Sequence, residues 1–184
     1  MSINLSLSDT IADLFDDRFD LAVRMGHLKD STLACKKLAD LQRIVVASPE
    51  YINQHGTPKH PNDLLHHNCL RWDGPLKHLN TWPFTIDGKE VSITVDGNFQ
   101  CISGIASTYM CLAHLGIGRM AEHLALPAID RGELVPLLQE FQARDDLGIY
   151  LVFMKERVLP PRIRAFVDFV TDHFKNPSWR PSQN

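Results

Sequence analysis

The sequence lacks an excess of positive charge and any long apolar segment. Its 184 residues carry 19 basic and 22 acidic side chains, a formal net charge of -3, whereas proteins that bind nucleic acid through bulk charge are strongly basic. No run approaches 18 apolar residues, and the acidic start MSINLSLSDTIADLFDD has neither the positive flank nor the apolar core of a signal peptide. We therefore expect a cytoplasmic protein with no membrane segment and no nucleic-acid binding through bulk charge.

Paired cysteines are also missing, because the four cysteines are scattered without a CxxC motif. A chain of this length folds without disulfides, so free thiols are expected. Four potential metal ligands lie close together in the sequence: His60, His66, His67 and Cys69. Zinc sites usually combine paired ligands, and no second pair follows. The sequence therefore predicts no metal, and the alternative is a solvated loop whose histidines titrate near neutral pH.

Catalytic and cofactor motifs are equally scarce. GxSxG, GxxxxGK[ST] and HExxH are missing, and Gly116-Ile117-Gly118 lacks the third glycine and the preceding strand of a dinucleotide fingerprint. Cys101 or Cys111 could act as a nucleophile with a histidine base, but almost any chain of this composition offers that pairing. The alternative for each is a buried structural thiol. We therefore expect no cofactor and no enzymatic activity, with a small Cys/His hydrolase as the less favoured alternative.

What the sequence does contain is the alternation of strands and helices that is typical of α/β proteins. The predicted elements of the first part are a strand over 3–7, a helix after Asp9, an extended segment over 19–23 and strands over 33–38 and 43–47. The strand over 43–47 is apolar on both faces, as a covered sheet requires. Ser48 as N-cap and Pro49 at the first helical position then predict a helix that Gly56 ends.

The middle of the chain carries its own elements. Asp87-Gly88 is a preferred tight-turn dipeptide between alternating segments and predicts a hairpin. Further predicted elements are a short helix near Pro61, a helix over 102–113, strands near 117–120, 134–138 and 147–154, and an amphipathic helix after Pro160-Pro161. The simplest architecture is two α/β lobes, with residues 1–48 and 147–184 forming lobe I and residues 49–146 forming lobe II.

The ends of the predicted strands indicate where a ligand binds. Arg24-Met25-Gly26 follows the extended segment and Ser48-Pro49 follows the strand over 43–47, and ligands of open α/β sheets lie outside the carboxyl ends of strands. Helix starts at Pro49 and near Cys101 direct free N–H groups toward the same cleft, which suits a carboxylate. Taken singly, Arg24 is better explained by a surface salt bridge, Ser48 by a helix cap and Ser103 by a first-turn position. Only their convergence favours ligand binding.

Several segments together resemble the effector-binding (substrate-binding) domain of LysR-type transcriptional regulators. They are FDLAVRMG, ASPEYINQHGTPKHPNDL, LAHLGIGRM, RGELVPLL and LPPRIRAFVDFV, in this order over nearly the whole chain. The resemblance implies an α/β, two-lobed fold of the type 2 periplasmic-binding-protein kind, with a small effector in the cleft between the lobes. The expectation that this effector is a carboxylate comes from the helix starts described above. The implied effector-binding residues are Arg24, Met25, Gly26, Ser48, Pro49, Gln100, Cys101, Ser103, Gly118 and Arg119. Arg119 departs from the small apolar residue common at its position.

The resemblance also implies parts that this sequence lacks. LysR-type regulators begin with a helix-turn-helix that reads DNA, followed by the first strand and helix of the effector domain, and this chain resembles a regulator truncated after them. Lobe I is therefore expected to be incomplete, with unpaired strand edges that favour association. The full-length parent is expected to be a homo-oligomer and to contact DNA only through that helix-turn-helix. The alternative function is a stand-alone cytoplasmic small-molecule-binding module of the same fold.

Overall fold

The structure is a computed structural model, and it describes residues 2–8, 19–26, 33–74, 76–154 and 160–180. The strands are β1 (Ala22–Gly26), β2 (Leu33–Leu41), β3 (Arg43–Ala47), β4 (Arg71–Trp72), β5 (Thr81–Ile86), β6 (Lys89–Thr94), β7 (Gln100–Cys101), β8 (Gly118–Ala121), β9 (Val135–Pro136) and β10 (Leu147–Met154). The helices are α1 (Pro49–His55), α2 (Gly104–Leu112), α3 (Glu122–Asp130) and α4 (Pro161–His173), with short 3-10 helices at Pro61–His66, Lys77–Asn80 and Gln139–Phe141. The helix predicted after Asp9 lies outside the described residues.

The chain divides into two compact units, one of residues 1–41 with 146–184 and one of residues 42–145. The sequence placed the crossing points near 48 and 147. The first crossing comes earlier because β3 pairs with β8 and β9, which belong to the second unit. Gln42 and Asp145, the two end residues of that unit, are joined by reciprocal hydrogen bonds. The Gln42 side-chain amide donates to the Asp145 carbonyl, and the Asp145 backbone N–H donates to the Gln42 amide oxygen, each at 2.9 Å.

The first unit contains an antiparallel sheet in the order β1-β10-β2. β10 lies in the middle and is mostly buried, which explains its continuous apolar sequence. Ile163 and Val167 of α4 pack against Leu151 of β10. The predicted amphipathic helix after Pro160 is thus confirmed.

The strand predicted over residues 3–7 does not form. Ile3, Leu5 and Leu7 are 63%, 74% and 79% exposed, although they alternate with polar residues. A strand is stabilised by hydrogen bonds to a neighbouring strand and by burial of one face. Within the part of the chain that the structure describes, no strand pairs with residues 2–8. The three apolar side chains of this segment are therefore exposed to solvent.

The second unit is built around β3, which lies between β8 and β9 in an antiparallel sheet. Side chains alternate along β3, so that Val45 and Ala47 enter one apolar cluster and Val46 enters another. The first cluster includes Trp82 and Phe84 of the β5–β6 hairpin. The second cluster covers the opposite face with residues of α2 and α3.

Several of these elements lie where short sequence motifs predicted them. The Ser48 hydroxyl accepts the Tyr51 N–H at the start of α1, and Gly56 ends this helix with φ +84°. Asp87 and Gly88 have φ angles of +50° and +72° between β5 and β6, the left-handed conformation that a type I′ hairpin turn requires. Both sequence predictions are confirmed. None of the helices in the described ranges has the length and apolar character needed to cross a bilayer.

Candidate functional site

The first group of predicted site residues lies in a strand rather than in a loop. Arg24, Met25 and Gly26 are the last three residues of β1, where Arg24 lies opposite Tyr150 and Gly26 opposite Gly148. The strand continues past its predicted end at Val23 because the next three residues pair with β10. Successive side chains of a strand point to opposite faces. Arg24 and Met25 therefore face opposite sides of the sheet, with Met25 54% exposed.

Ser48 is completely buried and its hydroxyl has two partners. It accepts the Tyr51 N–H at 3.2 Å and lies 2.9 Å from Nδ1 of His114, just beyond α2. The direction of the second bond depends on the tautomer of His114, because the Ser48 hydroxyl can donate one hydrogen bond and accept two. A serine and a histidine at this distance have the separation of a nucleophile and its base, but a side chain with no exposed surface cannot meet a substrate. Ser48 instead ties α1 to the end of α2, while Pro49 beside it is exposed.

Gln100, Cys101 and Ser103 come together at the start of α2. Ser103 is the N-cap, and its hydroxyl accepts the Ala106 N–H at 3.4 Å. The Cys101 thiol lies 3.2 Å from the Ser107 hydroxyl and 3.3 Å from the Ser103 carbonyl oxygen. Gln100 is exposed, and Cys101 and Ser103 are half-buried. This end of α2 therefore combines hydroxyl, thiol and amide side chains with the positive end of a helix dipole.

Gly118 and Arg119 point to opposite faces of β8. Gly118 lies opposite Val46 and faces the same side as Met120. The Met120 sulfur lies 3.4 Å from the Thr108 hydroxyl of α2, which donates to the Gly104 carbonyl at 2.9 Å. Arg119 lies opposite Val45, and its guanidinium donates to the Asp145 carboxylate at 2.7 Å. The side chain of Arg119 is 6% exposed. The structure thus separates Arg119 from the α2 residues with which the sequence had grouped it, because they lie on opposite sides of the β3–β8 pair.

The thiols of Cys69 and Cys111 are unsuited to nucleophilic chemistry. Both are fully buried, and burial raises the pKa of each to about 12. The thiolate is the reactive form, so these side chains are inert near neutral pH. The Cys69 thiol donates to the Leu64 carbonyl at 3.7 Å, and Cys111 donates to the carbonyls of Val46 and Gly116. These contacts support the structural explanation for Cys111.

Two of the three histidines that were considered as metal ligands, His60 and His67, have other partners. Nδ1 of His60 accepts the Asn62 N–H, and Nδ1 of His67 lies 3.3 Å from the Tyr51 hydroxyl. In the described ranges, no group of three or more His, Cys, Asp or Glu side chains is arranged to hold a metal ion.

Several residues that shape these regions were not among the predicted site residues. Ser107 lies one helical turn after Ser103, and Thr108 follows it on the same helix, so helical periodicity could have indicated them. Asp145 and His114 contact Arg119 and Ser48 over separations of 26 and 66 residues. No local pattern reports contacts at such distances in sequence. Only the folded chain identifies them.

A family model described as the LysR substrate binding domain matches residues 1–175. The chain belongs to this family. It is 33% identical over 176 residues to the HTH-type transcriptional regulator CrgA of Neisseria meningitidis, an alignment that covers 95% of this chain and 58% of CrgA. The chain therefore spans about three-fifths of the length of this curated relative.

Solved structures of LysR-type regulators resemble this chain closely. The regulatory domain of CrgA matches with a TM-score of 0.80 and 31% identity, covering 87% of this chain and 78% of that domain. Full-length AphB, a virulence activator of Vibrio cholerae, matches with a TM-score of 0.78 and 28% identity, covering 93% of this chain and 57% of AphB. These matches confirm the predicted α/β fold of LysR effector domains, which is of the type 2 periplasmic-binding-protein kind.

Proposed function

We propose that this chain is the effector-sensing part of a LysR-type transcriptional regulator and binds a small carboxylate that modulates transcription. The observation that carries the proposal is the match to the LysR substrate-binding domain over residues 1–175. Binding of the effector to one conformation would shift the population of conformations of the regulator. The change in conformation then alters how attached DNA-binding domains are presented.

The start of α2 is the region that we propose for the effector carboxylate. The first four N–H groups of a helix have no hydrogen-bond partner within the helix. The Ser103 hydroxyl accepts one of them, the N–H of Ala106. The helix dipole adds a partial positive charge there. The hydroxyl of Ser107 and the thiol of Cys101 lie beside this turn. We further propose that Arg24 contributes to effector binding and that Arg119, being paired with Asp145, does not.

The remaining features of the proposal concern the whole regulator. The relatives are named as HTH-type transcriptional regulators, so we propose that DNA is bound through a helix-turn-helix and that the regulator is a homo-oligomer. A DNA-binding regulator works where the bacterial chromosome lies, so we infer a cytoplasmic location. We also infer that the chain is not an enzyme, since the Ser48–His114 pair is buried and the thiols of Cys69 and Cys111 are inert.

The proposal is tested by a thermal-shift screen of small organic acids and their neutral amides against the 184-residue chain. The acids are expected to bind more tightly, and affinities of the hits are measured by calorimetry. Arg24→Ala is expected to weaken an acid by about 1.5 to 3 kcal/mol through loss of a charge-assisted hydrogen bond and to leave the neutral analogue unchanged. Arg162→Ala, at an exposed position of α4 in the same unit, is the matched control. Equal losses for acid and amide would show that Arg24 is structural.

A gel-shift assay separates this proposal from a module that binds DNA itself. Weak binding that disappears with added salt, at a Kd near ~10⁻⁴ M, is expected of many proteins and carries no specificity. A salt-resistant, operator-specific shift with residues 1–184 alone would contradict the proposed division of roles.

A further inference from the structure

The outer face of α4 carries a row of exposed side chains, which we call the α4 stripe. Its members are Arg162, Ala165, Phe169 and Asp172. Their offsets of 0, 3, 7 and 10 residues place them within about 80° of one another around the helix axis. The opposite side of α4 is buried and packs on β10. The packing of the first unit therefore does not account for the residues of the stripe.

The charges of the α4 stripe are placed against the helix dipole. Arg162 lies in the first turn of α4, where the dipole favours an acid, and Asp172 lies in the last turn, where it favours a base. Lys175 binds Oδ1 of Asp172 at 2.9 Å, but these two side chains are 69% and 78% exposed, and exposed pairs contribute little. None of the ion pairs between described residues includes Arg162. The two charges of the stripe therefore add little to the stability of a single chain.

The α4 stripe is complementary to itself when it is read in the opposite direction. In two antiparallel copies of α4 that meet at the level of Val167, Arg162 of one copy lies opposite Asp172 of the other, and Ala165 lies opposite Phe169. A two-fold axis produces each of these contacts twice. The ring of Phe169 is 67% exposed, and the small side chain of Ala165 leaves room for it. Spacings of three and four residues also form the seam along which two helices pack side by side.

We propose that the α4 stripe is a contact surface for a second copy of this chain, with the two α4 helices antiparallel about a two-fold axis. Two ion pairs between Arg162 and Asp172 then flank two contacts between Phe169 and Ala165. A single helix face buries less than the roughly 800 Å² per partner of a standard interface, so the dimer is weak and forms at high micromolar concentrations of the chain.

This surface rests on the proposed function in one respect, since it gives a location to a contact of the proposed homo-oligomer. Its test needs neither the effector nor DNA, because it measures only the association of the 184-residue chain. Failure of the test would therefore leave the effector-sensing role untouched. Ile3, Leu5 and Leu7 are replaced by serine in every sample, because these exposed side chains offer a second route to association.

Reversal of the charges in the α4 stripe is measured by sedimentation equilibrium. Arg162→Asp places an acid opposite Asp172 of the second copy, and Asp172→Arg places a base opposite Arg162. Each change is expected to raise the dissociation constant of the dimer by about tenfold or more, because like charges meet twice. The double variant carries the same pairs in the reverse order and is expected to associate as the unchanged stripe does. Arg164→Asp is the matched control, because Arg164 is exposed on a different side of α4.

A mixture of the two single variants separates a contact between copies from an effect on the helix itself. Arg162→Asp has an acid at both charged positions of the stripe and Asp172→Arg has a base at both, so each variant is complementary to the other and not to itself. We expect a one-to-one heterodimer at concentrations where each variant alone is a monomer. A change in helix stability cannot restore association on mixing.

Circular dichroism confirms that each variant is folded. The proposal would be overturned by a chain with the unchanged stripe that stays monomeric at high micromolar concentration. It would also be overturned by a mixture that contains no heterodimer, or by an equal loss of association in Arg164→Asp and Arg162→Asp.

Discussion

The guanidinium of Arg119 lies 2.7 Å from the carboxylate of Asp145, and both side chains are more than nine-tenths buried. The same carboxylate accepts the backbone N–H of Arg43, and the backbone of Asp145 is hydrogen-bonded to the Gln42 side chain. Asp145 thus joins β8 to the first residues of the second unit. Because its partner charges are buried, loss of this one carboxylate leaves them without compensation.

Asp145→Ala is therefore expected to lower the free energy of unfolding by about 3 to 5 kcal/mol, the cost of breaking a buried ion pair by removing one partner. Urea unfolding followed by circular dichroism measures the change. Glu133→Ala removes the carboxylate of the exposed pair with Arg131 and is the control, since exposed pairs contribute little. A loss no larger than that of the control would show that solvent screens the Arg119–Asp145 pair.

Stability should decrease as the pH falls below about 6.5. Burial, together with the charge of His55, lowers the pKa of His67 below its usual value of 6.5, while Asp63 opposes this effect. The unfolded chain then binds more protons than the folded chain below pH 6.5, so the contribution of His67 is complete above that pH and is lost as the pH falls through the lowered pKa. In the folded chain the Tyr51 hydroxyl accepts the Asn68 N–H, and it can donate to Nδ1 of His67 only while that nitrogen is unprotonated.

Urea unfolding at pH 8.0 and pH 5.5 tests this dependence in His67→Gln and in His66→Gln, an exposed neighbour. Burial also lowers the pKa of His123, so part of the pH dependence should survive in both variants. We expect a smaller loss of stability between the two pH values in His67→Gln than in His66→Gln. Identical losses would mean that protonation of His67 does not disturb its contact with Tyr51.

The four thiols should react at very different rates with Ellman's reagent. Cys35 is exposed and Cys101 is partly exposed, whereas Cys69 and Cys111 are buried with pKa values of about 12. At pH 8 a thiol with that pKa is ionised to only about one part in ten thousand. We expect one fast and one slower reacting thiol in the folded chain and four in urea. Cys35→Ser should remove the fast phase, and rapid reaction of all four thiols without urea would contradict the buried positions.

The exposed apolar side chains of Ile3, Leu5 and Leu7 should promote self-association. Alternating apolar residues with free backbone groups are a template for strand pairing with another copy, and burying each such side chain is worth about 1.5 to 3 kcal/mol. Replacement of all three by serine is expected to raise the monomer fraction, measured by size-exclusion chromatography with light scattering. Val91→Ser changes an exposed apolar residue of the hairpin and should have no such effect. Unchanged association in the triple variant would exclude this segment as the contact.

Local chemistry accounts for the parts of the fold that the sequence predicted. Ser48, Pro49 and Gly56 define α1 because a cap, a fixed φ and a left-handed residue act within one or two turns. The Asp87-Gly88 turn and the apolar stripe of α4 act over similarly short distances. Among site residues, Ser103 was placed correctly at a helix start for the same reason.

Contacts between distant segments account for what the sequence did not predict. Helix α3 contains Pro127 in its interior, and a proline there normally ends a helix. Its neighbours Ala125 and Ala128 are buried among Val46, Met120 and Leu134, so packing outweighs local preference. Residues 24–26 were likewise predicted to form a loop, but they belong to a strand because they pair with β10. In each case the deciding partner comes from a remote part of the sequence.

The reciprocal bonds between Gln42 and Asp145 hold the two ends of the second unit side by side. Its 104 residues contain two apolar clusters whose members all belong to this unit, so it has the organisation of a domain inserted into the sequence of another. An insertion of this kind can be acquired, exchanged or grafted as one piece, because its two ends need only the spacing of a single hydrogen-bonded turn. The second unit is thus continuous in sequence and can be moved as a single segment, whereas the first unit is made of two separate segments.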